Sequence, residues 1–493
     1  MAQRRNWIAT APLVGGLVVL ATIALLTLGG ASNRSGGLRA ALFDLYGRLA
    51  PIDAPATSQF HIVEIDDESL ARVGPWPWPR SELAKVVDGV ADAGAKGIVL
   101  AVPVDTPDPL TPSTIGAFWL EGARDEGLAR ELSKLPNTDA VLGDALKRVS
   151  SSVVINPGAA ADLSRRLEPG SSKIVNTKQF SVLGQTESGR SSLPTSTTIS
   201  APLALSRGGG VAPEVTASSA VSVAALPADD DGILRAPPIV WSYDDALVPS
   251  AAFAAAAIIA GKGQPVAIAD PTATSDAGRI VQSVSLSTDG KGIPVDRTGR
   301  AIIGWPKKLS VQSTSAARLY DQSTGSNAQL ADKVVLIGLG DRLGKIVTTP
   351  IGEISALRAH AEVANRLAAG AVLVRPSWSG YLEAGLAMLL GGAAMAWSQT
   401  LGGWRSLLLT LFVAAVALAA SAFAYTSQAL LIDPLPGIVA ALLGTFAVTG
   451  GRSLAETVGD EKLRGNFRGS LPESTVKALT EEDASSLLKG DYR

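Results

Sequence analysis

The residues of this chain best suited to chemistry are three adjacent acids, Asp66, Asp67 and Glu68. Neighbouring carboxylates can divide general acid–base work or hold a hard cation. Their competing use is to cap the helix or turn that follows, with Ser69 helping. A little further on, Trp76 and Trp78 alternate with Pro75, Pro77 and Pro79, and the run ends on Arg80. Proline fixes φ and removes a backbone donor, so this segment is stiff and extended. Two indoles on it can stack a ring or sugar, or anchor the loop on a core. Arg80 can clamp an anion or pair with one of the aspartates, and the ion pair is the reading preferred here.

Little else in the chain supports catalysis. There is no cysteine, which excludes disulfides, thiolate metal sites and thiol nucleophiles. The two histidines are His61 and His360. His61 opens a strand, at the end opposite the expected ligand side, and His360 lies among Ala and Leu on a helix, so both are expected to be structural. Gly338-Leu339-Gly340-Asp341 follows a strand but does not complete a phosphate-binding glycine pattern, and is expected to be a tight turn. No set of residues provides nucleophile, base and orienting group together. The expectation is a binding module with no catalytic residue and no metal site.

The elements that position these residues follow from periodicity. Leu38, Leu42, Leu45 and Leu49 mark a helix face. Ile62, Val63 and Ile65 make a strand that ends at the acids. Leu83, Val86, Val87 and Val90 recur at helical spacing up to Gly94, and Gly97 to Val104 reads as a second strand. Strand, helix, strand is a βαβ unit, with the acids at the carboxyl end of its first strand, where open α/β sheets place ligands. Further elements are expected as a helix over 139–149, strands over 153–156, 218–223, 239–241 and 334–338, and helices over 249–260 and 357–369. Residues 294–303 read as a hairpin turning at Thr298-Gly299. Residues 157–213, rich in Ser, Thr and Gly, read as a flexible insertion.

Apolar residues make up 46% of the 493 and charged residues only 18%, and the excess sits at the two ends, as membrane segments require. Four transmembrane helices are expected, over 11–31, 378–397, 404–425 and 429–450. Gly29-Gly30-Ala31 leaves open a cleaved signal peptide in place of the first. Trp and Tyr near the ends of the last three suit an interfacial belt. Small residues, Gly385, Gly391, Gly392, Ala414, Ala415 and Ala419, are either close-contact points between helices or merely common membrane residues. Arg4 and Arg5 before the first span, and Arg452, Lys462, Arg464 and Arg468 after the last, put both termini in the cytoplasm and residues 32–376 outside. Residues 1–10 are then a cytoplasmic N-terminus and 451–493 a cytoplasmic linker. A net charge of −2 gives no reason to expect nucleic acid as a partner. The last three spans carry almost no interior charge, which argues against a transporter.

The segment Ile62-Val-Glu-Ile-Asp-Asp-Glu-Ser-Leu with Gly74-Pro-Trp-Pro-Trp-Pro-Arg80 resembles the signature of the second class of CHASE domains, extracytoplasmic sensors of bacterial cyclases, histidine kinases and serine/threonine kinases. Leu42-Phe43-Asp44, Asp231-Gly232-Ile-Leu-Arg235, Lys333-Val-Val-Leu-Ile-Gly338, Thr349-Pro350 and His360-Ala361 are similar to further blocks of that pattern, in order. The chain departs from it at Ala101 and Thr106, at Lys345 and at Ala356, where the family commonly has acids or glycine. The resemblance implies an α/β extracytoplasmic sensor with a mixed sheet and a βαβ unit, plus four transmembrane α-helices, in a bacterial cell membrane. With Asp231 and Arg235 from the later block, the candidate ligand-binding set is Asp66, Asp67, Ser69, Trp76, Trp78, Arg80, Asp231 and Arg235.

Phe467-Arg468-Gly469-Ser470-Leu471-Pro472, with Gly490-Asp491-Tyr492-Arg493, is similar to the linker before a class III nucleotide cyclase domain. That resemblance implies the input half of an adenylate or guanylate cyclase and a homodimer. It also implies Mg or Mn in a following catalytic domain and no cofactor in this chain. The external signal is then an unknown small molecule or envelope component. The alternatives are the sensor half of a kinase, or a membrane-anchored external enzyme.

Overall fold

The computed structural model describes residues 2–28, 36–51, 58–104, 108–116 (without 113), 126–155, 181–186, 189–192, 199–200, 220–243, 246–261, 265–275, 278–286, 292–320 (without 297), 329–376 and 378–467. The chain divides into two compact units, 44–374 and the combination of 1–43 with 375–493. The expected cleavage site at 29–31, the departure at Thr106 and the linker-like tail beyond Phe467 lie outside the described residues.

Unit 44–374 is built on a six-stranded sheet. Its strands are β1 (Phe60–Ile65), β2 (Gly97–Pro103), β3 (Ser150–Ile155), β4 (Ala220–Val223), β5 (Gln312–Ser315) and β6 (Val334–Leu339), in the spatial order β5-β1-β6-β2-β3-β4. Every neighbouring pair is parallel. A parallel sheet is covered on both faces, which is why β1 is an almost unbroken apolar run. Phe60 and Ile62 enter one core with Val99 and Leu336, while Val63 and Ile65 enter the other with Leu100 and Ile337.

Helices cover each face. On the first lie α6 (Ala251–Ala260) and α8 (Ala356–Ala368). On the second lie α4 (Arg80–Asp92) and α5 (Thr138–Leu146), with the short α7 (Ala317–Tyr320). The first helices of the chain are α1 (Ala2–Leu28) and α2 (Gly36–Leu49), and α3 (Asp67–Val73) leaves β1 directly. In α4, Leu83, Val86, Val87 and Val90 are all buried, as their spacing requires, each stabilising by about 1.5–3 kcal/mol. The βαβ unit is present, but β6 is inserted between its two strands.

A second sheet departs from the sequence reading. Strands Ser181–Thr186, Gly189–Ser192 and Ile199–Ser200 lie inside the expected insertion, and they pair with Val266–Ser275 and Gly278–Ser285. Strand pairing with a partner some eighty residues away leaves no local pattern to read. This sheet, not the central one, mixes parallel and antiparallel pairs. The expected hairpin over 294–303 keeps its turn, where the Gly299 N–H donates to the Asp296 carbonyl. Its arms pair elsewhere, Ile293–Pro294 with Gly278–Ser285 and Ile302–Ile303 with Val372–Leu373.

The other unit contains α1, α9 (Ser379–Thr400), α10 (Gly403–Gln428) and α11 (Leu435–Phe467). Among the described residues two helices, not four, are long and apolar enough to cross a membrane: Gly403–Gln428 and Leu435–Leu454. α9 is long enough, but Glu383 and polar residues at both ends reduce its hydropathy, and the apolar segment Gly16–Leu28 of α1 is too short. Of the small residues expected at contacts, Gly391 approaches α11, where a Cβ would meet Ala440 at 3.2 Å, and Ala414 is buried. Gly385 and Gly392 face open space, and Ala415 and Ala419 are exposed.

Candidate functional site

β1 and β6 are neighbours whose onward connections leave to opposite faces of the sheet. β1 leads into α3 and α4 on one face, and β6 leads to α8 on the other. Their carboxyl ends therefore part, which makes the crevice where doubly covered parallel sheets bind ligands. A cleft of about 210 Å³ lies there, lined by Glu64, Ile65, Asp66 and Asp67 from β1 and by Gly340, Asp341, Arg342 and Leu343 from β6. The Gly340 N–H donates to the Ile65 carbonyl at 3.0 Å and closes the floor. A side chain at 340 would put its Cβ 3.3 Å from that carbonyl, so glycine permits the approach.

The acids of the cleft differ. Asp66 is the N-cap of α3 and accepts from the Ser69 N–H at 3.0 Å, the Ser69 hydroxyl at 2.7 Å and the Ser315 hydroxyl at 2.7 Å. Burial pushes this carboxyl up, but the donors from Ser315 and Ser69 outweigh burial and hold it below the usual carboxylate range. Glu64 goes the other way. Burial raises it more than Arg358, 2.6 Å away, lowers it. Arg358 also reaches Asp341 at 3.5 Å, and Arg342 pairs with the exposed Asp67. Four carboxylates thus face two arginines, so the cleft favours positive over negative groups.

The sequence-derived candidates fall into three places. Asp66 and Asp67 line the cleft, with Ser69 buried beneath Asp66. Trp76, Trp78 and Arg80 do not line it. Trp78 is buried and donates to the Gly74 carbonyl at 2.8 Å, and Trp76 meets it edge-on at 5.7 Å. Arg80 is in an ion pair, but its partner is the buried Asp139 on α5, not Asp66 or Asp67. Asp231 and Arg235 form a separate cluster, in which Arg235 grips Asp44 of α2 through Nε at 3.0 Å and Nη2 at 2.9 Å. Arg235 also pairs with Asp231 at 2.8 Å. Sequence reasoning did not single out Glu64, Asp341, Arg342 or Arg358. A glycine pair closing a second buried strand, Gly338 and Gly340, was the available signal.

Both histidines are packed. His61 Nε2 meets the Thr314 hydroxyl at 2.8 Å, and His360 Nε2 donates to the Ala224 carbonyl at 2.9 Å. Burial holds each at about 4, against 6.5 for a free imidazole. The folded state thus binds protons more weakly than the unfolded chain, and stability must fall as pH drops from 6.5 towards 4. For the fully enclosed His360 the loss approaches about 3 kcal/mol. Thermal melts of residues 44–374 between pH 7.5 and 4.5 should show this fall, and His360→Gln should flatten it.

The family model of the CHASE2 domain matches residues 17–396, more than three quarters of the chain. The chain belongs to the CHASE2 family. A CHASE2 domain is an extracytoplasmic sensor domain of signalling proteins, and the α/β unit with its switch-point cleft is that domain here. The CHASE2 chain matches no curated protein and no solved structure. Its two apolar helices are compatible with membrane anchoring.

Proposed function

We propose that this CHASE2 chain is the membrane-bound input half of a signalling protein, a class III adenylate or guanylate cyclase, and that it works as a homodimer. The sensor unit binds a small molecule in the cleft between β1 and β6 and passes the event across a bacterial cell membrane. The observation that carries this reading is the crevice itself, formed where adjacent parallel strands send their chains to opposite faces. Its acidic balance favours ligands that carry an amine or another cation. Asp66 gives the cleft a fixed wall, because capping and two hydroxyls hold it in place. Multi-pass topology, cytoplasmic termini and the cyclase as output belong to the same proposal, supported by the basic residues flanking the apolar ends and by the tail.

The test is a thermal-shift screen of residues 34–375 against cationic metabolites and envelope fragments. A ligand of the cleft should raise the melting temperature of the wild type. Asp341→Lys, on a side chain 63% exposed, should leave the unliganded melt unchanged and weaken a cationic ligand at least tenfold, about 1.4 kcal/mol. An unchanged shift in that variant would place binding elsewhere. Turnover of the ligand by the isolated unit would favour the anchored-enzyme alternative.

A further inference from the structure

Glu383 is the one acid within the apolar stretch of α9, and its side chain is fully buried. An ionisable residue in such a helix is costly and persists when something holds it. Here Arg375 grips it with both ends of the guanidinium, Nη1 to Oε1 at 3.0 Å and Nη2 to Oε2 at 2.9 Å. Oε1 also accepts the Asp433 N–H at 2.8 Å. Asp433 is itself buried, and its carboxylate accepts the Leu435 N–H at 2.9 Å, at the start of α11. α11 then runs without a break from Leu435 to Phe467. In the chain, Arg375 follows directly on Val374, the last residue of the sensor unit.

We propose that Glu383 is a coupling junction, which locks Arg375 at the exit of the sensor domain to the N-terminal cap of α11. The inference rests on reading the chain as a membrane-bound sensor, and its test needs no ligand. A carboxylate serves here because it takes two donors from the guanidinium and still accepts a backbone N–H. Displacement of the chain at Arg375 pulls on Glu383, and Glu383 pulls on Asp433, the residue that starts the last helix. Glu383 is a positioning residue and touches no signal molecule.

Amide hydrogen exchange of the full chain in lipid nanodiscs tests this. Glu383→Ala removes the acceptor, and Arg375→Gln removes only the grip on it. Both should speed exchange across residues 430–438 by about tenfold or more, while α10 keeps its wild-type protection. The Arg375→Gln result is decisive, since Glu383, not Arg375, accepts the Asp433 N–H. Unchanged exchange at 430–438 in Arg375→Gln would reduce Glu383 to a local brace and overturn the proposal. Acceleration spread equally over α10 would also overturn it. Arg375→Gln carries the test alone should Glu383→Ala fail to fold. Failure here would leave the cleft reading intact, because that reading is measured on residues 34–375.

Discussion

Arg80→Ala is expected to destabilise the sensor unit by about 3–5 kcal/mol, read as a lower urea midpoint at unchanged slope. Arg80 and Asp139 are both buried and paired, at 6% and 3% exposure. Their pair is the centre of a wider set of bonds. Asp139 also accepts the Asp108 N–H at 3.0 Å, and Asp108 accepts the Arg80 backbone N–H and the Thr138 hydroxyl, each at 2.8 Å. Removing the guanidinium leaves Asp139 as an uncompensated buried charge, which costs more than the pair contributes. Combining Arg80→Ala with Asp139→Ala should therefore recover part of the loss. An Arg80 that faced solvent as an anion clamp would cost less than about 1 kcal/mol on removal.

Trp78→Ala should cost a comparable amount, about 3–5 kcal/mol, by emptying a packed site in the core. Trp78 is 4% exposed and packs in the same cluster as Leu83 and Val87 of α4. Its loss would also strip the Gly74 carbonyl of its donor. Trp76 is only partly buried and touches Trp78 edge-on, so Trp76→Ala should cost about 1–2 kcal/mol. The order of the two urea midpoints decides between scaffold and ligand platform. A Trp76 variant less stable than the Trp78 variant would contradict the packing described here.

What the sequence made legible was local. Ile62, Val63 and Ile65 announced a buried strand, and Val334 to Gly338 announced another. Leu83 to Val90 announced the helix between strands. Nothing local says that β6 slides between β1 and β2, because register between distant strands is settled by the whole core. For that reason Asp66 was visible as a candidate while Asp341 and Arg358 were not. The partner of Arg80 was missed for a similar reason. Asp139 lies 59 residues away and reaches Arg80 only because α5 packs on α4. Glu383 escaped notice as a single acid in an apolar run. Its importance comes from Arg375 and from Asp433, fifty residues further on. Family resemblance filled a different gap. It supplied the role of the domain, which no residue pattern in the chain could give.

α11 has 33 residues and is therefore about 50 Å long, against about 30 Å of bilayer hydrocarbon. It has no joint at which motion could be absorbed, so a twist applied at Leu435 arrives at Phe467 as a twist. The length of this rod therefore acts as a phase setting. One added residue would turn the far end by about 100°, whereas seven would bring it back to within about 20°. Whatever follows Phe467 in the chain receives the signal as an angle, so evolution can retune the response by changing helix length in heptads without touching the cleft.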